Sequence, residues 1–145
     1  MFIDDVLTLL INANVGVDGG TIFRSSKAFV PPSPQNYPAL DTTKGQGPYL
    51  FLGDLGGPAP TRVQNYTTPN TKKPSCMVLA KGLTYTACVA LINQAYAAID
   101  GQAFNSFVNG TFYLSIGART EPMDYGIDAT GNFVQYMFNV DGEHS

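Results

Sequence analysis

Charged side chains are scarce in this chain of 145 residues, where they make up 13% of the sequence, about half of the usual share. This scarcity argues against a long solvated coiled coil, and a hydrophobic share of 44% argues against a disordered chain. The net charge is −3 and the one adjacent basic pair is Lys72-Lys73, so direct nucleic-acid recognition is not expected. The length fits a single domain spanning residues 1–145.

Long apolar runs and a positively charged leader are also missing. No stretch approaches the roughly 20 apolar residues that cross a bilayer, and the first apolar run ends at Ile11. Asp4 and Asp5 stand where a secretory signal would carry positive charge. The sequence therefore predicts neither a membrane segment nor an export signal.

Histidine occurs once, at His144, and cysteine twice, at Cys76 and Cys88. A single histidine beside the end of the chain, where mobility is expected, cannot build the usual serine or cysteine triad. Two cysteines are too few for a disulfide framework and lack metal-binding spacing. Their apolar neighbours predict buried free thiols in a reducing compartment, and a pair close enough to oxidise is the open alternative.

The carboxylates and glycines match no catalytic or binding motif. Asp124 and Asp128 flank Gly126 but lack the alternating acids and closing glutamate of a calcium loop, so we interpret them as turn carboxylates. The pairs Gly19-Gly20 and Gly56-Gly57 match neither a phosphate loop nor a dinucleotide fingerprint. We therefore expect a protein that is not an enzyme and that has no cofactor and no metal site.

Apolar spacing predicts two helices. The first spans residues 2–13 and has acidic side chains in its first turn. The second, at residues 85–100, has Thr84 as its N-cap and Gly101 as its C-cap. The apolar stripe of this second helix consists of Cys88, Leu91, Ile92, Ala95 and Ile99.

Strands and long loops account for the rest of the chain. Strands are predicted at residues 21–30, 49–52 and 76–81, with a further candidate at 62–66. Alternating apolar and polar residues predict a C-terminal β-hairpin from residues 112–118 and 134–140, joined by a turn at 129–132. Proline and glycine break regular structure at 31–48 and 53–74. The predicted fold is α+β, a mainly antiparallel sheet with the two helices packed on one face.

Four sequence segments follow one another in a recognisable order. They are Leu55-Gly56-Gly57, residues 74–82 with the helix behind them, residues 119–128, and the pieces Gly131-Asn132-Phe133 and Phe138-Asn139-Val140. The first is similar to the glycines after the second strand of the bacteriophage tail terminator and phage minor capsid protein family. The second resembles that family's central strand and helix, and the others resemble its C-terminal hairpin.

This resemblance implies a structural virion protein without catalytic residues. Tail terminators form a ring, usually a hexamer, on the last ring of the tail tube, where they stop tube polymerisation and face the head connector. The implied partners are further copies of the chain, the tail tube protein and a head–tail connector or head-closure protein, with no membrane. The implied location is the tail–neck junction of the virion, and the host cytoplasm during assembly.

The two long loops and the turn at residues 121–128 are the predicted contact regions, because loops on a rigid scaffold commonly carry binding residues. The interface hypothesis names Tyr37, Arg62, Tyr66, Arg119, Glu121, Asp124, Tyr125 and Asp128. In the alternative interpretation, Arg119 and Glu121 pair with each other within the hairpin, as exposed ions often do for little energy.

Two other functional classes remain open from the sequence. One is another neck, head-closure or minor capsid protein of the head–tail junction, which differs from a tail terminator only in the rings it touches. The other is a small ligand-binding domain, since a fold does not dictate a function. A ligand-binding domain would need a pocket with convergent polar groups.

Overall fold

The computed structural model of the protein describes residues 2–18, 21–25, 48–55, 72–101, 103–127 and 133–144. Within these ranges the chain forms two helices, α1 (Phe2–Asn12) and α2 (Tyr85–Ile99). The strands there are β1 (Ile22–Ser25), β2 (Tyr49–Asp54), β3 (Ser75–Gly82), β4 (Ala103–Val108), β5 (Thr111–Ala118), β6 (Met123–Ile127) and β7 (Val134–His144). The candidate strand at 62–66, the end of the strand predicted at 21–30 and most of both predicted loops lie outside the described residues.

All these strands join one sheet in the order β1-β2-β3-β7-β5-β4, and β6 pairs with β7. β1 runs parallel to β2, whereas every other pairing among the described strands is antiparallel. β3 lies near the centre, with all of its residues buried. The predicted α+β fold with a mainly antiparallel sheet is confirmed.

β5 and β6 lie end to end along the same edge of β7. β5 pairs with β7 from Tyr113↔His144 to Ala118↔Val140, and β6 pairs from Met123↔Met137 to Ile127↔Val134. β6 and β7 therefore form a C-terminal hairpin, so a hairpin at this end is consistent with the prediction. Its first strand is β6 and not the predicted segment 112–118, which lies in β5 and pairs with the later part of β7. The prediction of a turn at residues 121–128 is corrected, since most of that segment is strand β6, and β4 was not predicted at all.

Both helices pack on one face of the sheet, as predicted. Their buried side chains, such as Val6, Leu10, Ile92 and Ile99, share one apolar cluster with strand residues that include Val78. A second cluster on the opposite face consists of Phe23, Tyr49, Phe51, Met77, Leu79 and Met137. Because burial of one large apolar side chain stabilises the fold by about 1.5–3 kcal/mol, the two faces together hold the central strands in place.

The N-cap predicted for α2 is confirmed, whereas the C-cap is Asp100 and the predicted Gly101 is the residue after it. The Thr84 side chain accepts a hydrogen bond from the Ala87 backbone N–H, and the helix ends at Asp100. Gly101 follows with φ +70°, the left-handed conformation that closes many helices. The predicted stripe faces the core, with Leu91 at its partly buried border. Neither described helix is long and apolar enough to cross a bilayer.

Both cysteines are buried free thiols, as predicted. Burial raises the pKa of the Cys88 thiol to about 11, and burial raises the pKa of Cys76 further still. The Cys88 thiol donates a weak hydrogen bond to the Ala80 carbonyl oxygen at 3.4 Å. Because the thiolate is the reactive form, burial and the raised pKa disfavour reaction at both thiols, which pack in the apolar core.

His144, for which mobility is expected from the sequence, lies at the end of a paired strand. It is the last residue of β7, and its backbone exchanges two hydrogen bonds with Lys72, at 2.6 and 3.0 Å. Its ring lies edge-on to Tyr113, with centroids 5.2 Å apart. These contacts fix the end of the last strand to the segment that precedes β3.

Replacement of Gly142 by alanine is expected to destabilise the fold. An added Cβ would lie 2.5 Å from a Phe2 ring carbon and 3.2 Å from Tyr113, and overpacking of this kind costs about 1–3 kcal/mol. Gly117→Ala is the matched control, because its Cβ would meet nothing closer than Asp100 at 3.7 Å. Chemical denaturation measures both free energies of unfolding, and equal values for the two variants would contradict the expectation.

Candidate functional site

The residues of the interface hypothesis divide into two groups. Tyr37, Arg62, Tyr66 and Asp128 lie outside the described residues. Arg119, Glu121, Asp124 and Tyr125 fall in the segment that joins β5 to β6 and in β6 itself. The structure therefore brings half of the predicted residues onto one stretch of the sheet edge.

Arg119 is bound within its own chain. Its Nε donates to both carboxylate oxygens of Asp141, at 3.0 and 2.9 Å. Its Nη2 donates to Asp141 Oδ1 at 2.6 Å and to Ser75 Oγ at 2.6 Å. The alternative in which Arg119 pairs with Glu121 is therefore wrong, since the partner is Asp141 on β7, and the contact ties the end of β5 to both central strands.

The charge state of Asp141 follows from this geometry. The hydrogen bonds from Arg119 hold the pKa of the Asp141 carboxyl below its usual range, against an opposing effect of partial burial. The Ser75 hydroxyl also donates to this carboxylate, at 2.5 Å. The Arg119 guanidinium is thus already neutralised by a two-point contact, and it contributes mainly to the fold.

The other residues of the segment are exposed. Asp124 Oδ1 accepts a hydrogen bond from the Gly126 backbone N–H at 2.7 Å, where the register with β7 shifts at a bulge. Asp124 therefore lies at a bulge of strand β6, and the interpretation of it as a turn carboxylate is corrected. Glu121 is exposed, and Tyr125 keeps 54% of its surface accessible. These side chains are available to a partner.

A second polar cluster joins α1 to the β4–β5 hairpin. Asp5 is buried and accepts hydrogen bonds from the Tyr113 hydroxyl and from Asn109 Nδ2, the latter at 2.9 Å. Asn109 Nδ2 also donates to Thr8 Oγ1 at 2.8 Å. Burial first, and then the bond to Asp5, raise the pKa of Tyr113. Asp5 therefore does more than favour the start of a helix, because it anchors the hairpin.

The tip of this hairpin has a defined turn. Val108 pairs with Thr111, so Asn109 and Gly110 alone form the loop, with φ +49° and +83°. Two central residues with positive φ make a type I′ turn, for which Asn-Gly is the favoured sequence. The turn and the bonds to α1 together fix the position of β4 and β5.

Four large apolar side chains of the hairpin are exposed. Phe104 and Phe107 on β4 keep 71% and 73% of their surface accessible, and Phe112 and Leu114 on β5 keep 38% and 42%. The Phe107 and Phe112 rings pack edge-to-face with centroids 5.0 Å apart. β4 is the last strand of the sheet order, and no strand of the described ranges pairs with its outer edge. We call these four residues the hairpin surface.

A shallow cleft lies on the sheet face opposite the helices. It has a volume of about 210 Å³ and is lined by Lys73, Ser115, Asp141, Gly142 and Glu143. Ligand pockets are usually ~300–1,000 Å³, so this cleft is smaller than that range. Across the described part of the chain, no group of three or more His, Cys, Asp or Glu side chains is placed to hold a metal ion.

The sequence matches no protein-family model and no curated protein. The surfaces of the molecule and the resemblance of its segments are therefore the grounds for a functional proposal.

The Arg119–Asp141 pair is expected to stabilise the fold in a pH-dependent way. A double-mutant cycle with Arg119→Ala and Asp141→Asn should give a coupling of about 1 kcal/mol near neutral pH. The unfolded chain has an Asp pKa of about 3.9, above that of folded Asp141. The coupling should therefore decline as the pH falls below the unfolded pKa and vanish below the folded one. Glu121→Gln is the control, and a coupling that survives in strong acid would contradict the assignment.

The amide of Asn109 is expected to stabilise the attachment of the hairpin. Asn109→Gly keeps a residue that accepts positive φ but removes the donor to Asp5 and Thr8. The expected loss is about 1–2 kcal/mol of unfolding free energy, measured by denaturation. Hydrogen exchange should also become faster than in the unaltered chain, and this increase should be larger in β4 than in β3. Unchanged stability and exchange would show that the amide bonds contribute nothing.

Proposed function

We propose that the chain is a structural virion protein, a tail terminator that forms a ring on the end of a phage tail tube. In this role it stops tube polymerisation and joins the tail to the head connector. The hairpin surface is the observation that carries the proposal, because four exposed apolar side chains on the outermost pair of the described strands are characteristic of a surface that meets another protein.

The anchoring of the hairpin strengthens this interpretation. Asn109 holds the tip of the hairpin on α1 through the Asp5 carboxylate and the Thr8 hydroxyl. β4 and β5 are therefore already ordered before a partner binds. Preorganisation of this kind lowers the entropy cost of association. An exposed phenylalanine pair held rigidly is suited to repeated assembly.

The segments that carry the family resemblance support the same proposal. Residues 74–82 contain β3 near the middle of the sheet, and α2 follows it directly. Residues 119–128 lead into the hairpin of β6 and β7. These positions agree with the central strand, helix and C-terminal hairpin that the resemblance implies.

A ring requires contacts between two different surfaces of the same chain, repeated until the rotation closes. The proposed partners beyond the ring are the tail tube protein on one side and a head–tail connector or head-closure protein on the other. The exposed segment with Glu121, Asp124 and Tyr125 is available for these contacts, whereas Arg119 is engaged by Asp141. The proposed location is the tail–neck junction, after assembly in the host cytoplasm.

Deletion of the gene from its virus tests the function. We expect overlong tubes without heads in negative-stain electron micrographs, because polymerisation would no longer stop, and complementation with the intact gene should restore the length. Tubes of normal length without heads would instead assign the protein to the neck or head-closure group. Normal virions would overturn the structural role altogether.

A further inference from the structure

The two exposed phenylalanines of β4, Phe104 and Phe107, lie three residues apart. Successive side chains of a regular strand point to opposite faces, so residues three apart do not share a face. Phe107 points away from the helices, because the next residue, Val108, is buried in the apolar cluster that the helices cover. A regular β4 would therefore turn Phe104 toward the face that carries the helices.

The pairing of β4 with β5 places Phe104 on the opposite face instead. Phe104 pairs with Ser115, and Ser115 pairs in turn with Glu143 on β7. Ser115 and Glu143 both line the cleft on the face away from the helices, and directly opposite residues of neighbouring strands share a face. Phe104 therefore lies on the same face as Phe107 and Phe112, which pair with each other.

The alternation of β5 is reset at Leu114. The register between β5 and β7 shifts between Tyr113 and Ser115, so Leu114 is the extra residue of a bulge. Tyr113 and Ile116 are three residues apart, yet both are buried in the cluster beneath the helices. Bulges near sheet edges commonly re-aim a side chain in this way, and here the bulge accounts for the two faces of β5.

β4 follows the bulge of β5 through Asn105. The pairs of β4 run from Phe104 directly to Ser106, so Asn105 and Leu114 are passed over on the two strands together. Asn105 has φ +47°, which is the left-handed region. Asparagine adopts this conformation several times more often than most other residues, whereas a β-branched residue is an outlier there.

We infer that the left-handed Asn105 is the positioning residue of the hairpin surface. It keeps β4 in step with the bulge at Leu114 and so brings Phe104 onto the face that already holds Phe107 and Phe112. The inference concerns the construction of this surface and uses strand pairing and burial alone, so it does not depend on the proposed function. A residue that disfavours positive φ at position 105 should return Phe104 to the alternation of a regular strand.

An engineered disulfide within one chain reports the face on which residue 104 lies. Phe104→Cys and Ser115→Cys together place two thiols on opposite residues, whose Cβ atoms lie about 4.5–5.5 Å apart when they share a face, close to the separation that a disulfide spans. Oxidised glutathione is the oxidant, and mass spectrometry follows the bond. The native cysteines are buried free thiols and give the background in a chain without the two substitutions.

The disulfide is compared in backgrounds that differ at position 105. We expect it to form at the same rate with Asn105 and with Asn105→Gly, because glycine also accepts positive φ. Asn105→Thr should slow it roughly tenfold, because a β-branched residue disfavours the left-handed region. The matched control is Ser106→Thr, which adds the same branch one residue further along β4 and should leave the rate unchanged.

Thermal melting establishes that each variant is folded, and Asn105→Ala takes the place of Asn105→Thr if the latter does not fold. Failure of the disulfide in the Asn105 background would place residue 104 on the other face and overturn the inference. Equal rates with Asn105 and Asn105→Thr, or equal slowing by Ser106→Thr, would overturn it as well. None of these results depends on the length of a phage tail, so the inference and the proposed function can fail separately.

Discussion

The sheet depends on β7, the strand that pairs with three others, β3 along one edge and β5 and β6 along the other. β3 pairs with it from Val134 to Asp141 on one side. On the other side β5 and β6 share it, and Asn139 between them donates its N–H to Thr120 Oγ1 and accepts from the Arg119 N–H at 2.7 Å. Because this strand lies far along the chain from β1, β2 and β3, the sheet closes only through long-range contacts. Such contacts impose a high loop-closure cost and slow folding.

Two carboxylates, one buried and one half-buried, attach the parts of the sheet that pair with β7 only in part or not at all. Asp141 receives Arg119 and thereby fixes the break between β5 and β6. Asp5 receives Tyr113 and Asn109 and thereby fixes the outer hairpin to α1. Three of the scarce charged residues, Asp5, Arg119 and Asp141, therefore form contacts within the chain, and the four residues of the hairpin surface carry no charge.

Prediction from the sequence succeeded where one local signal was enough. The spacing of Cys88 to Ile99 with Thr84 and Gly101 at the ends specifies α2, and clean alternation specifies the first part of β7. β4 was missed because Phe104, Phe107 and Val108 do not alternate, although the Asn-Gly turn after them was a usable hairpin signal. The Arg119–Asp141 pair could not be predicted, because the strand register that brings the two together is set by the whole sheet.

The Asn109-Gly110 turn also exposes the molecule to slow deamidation during storage. Asparagine is among the thermolabile residues, and a following glycine leaves its side-chain amide most open to deamidation. Conversion to a carboxylate would remove the donor that lies 2.9 Å from Asp5 Oδ1 and set two like charges side by side. The tip of the hairpin would then be repelled from α1. The Phe107–Phe112 pair would therefore be less rigidly positioned in an aged preparation than in a fresh one.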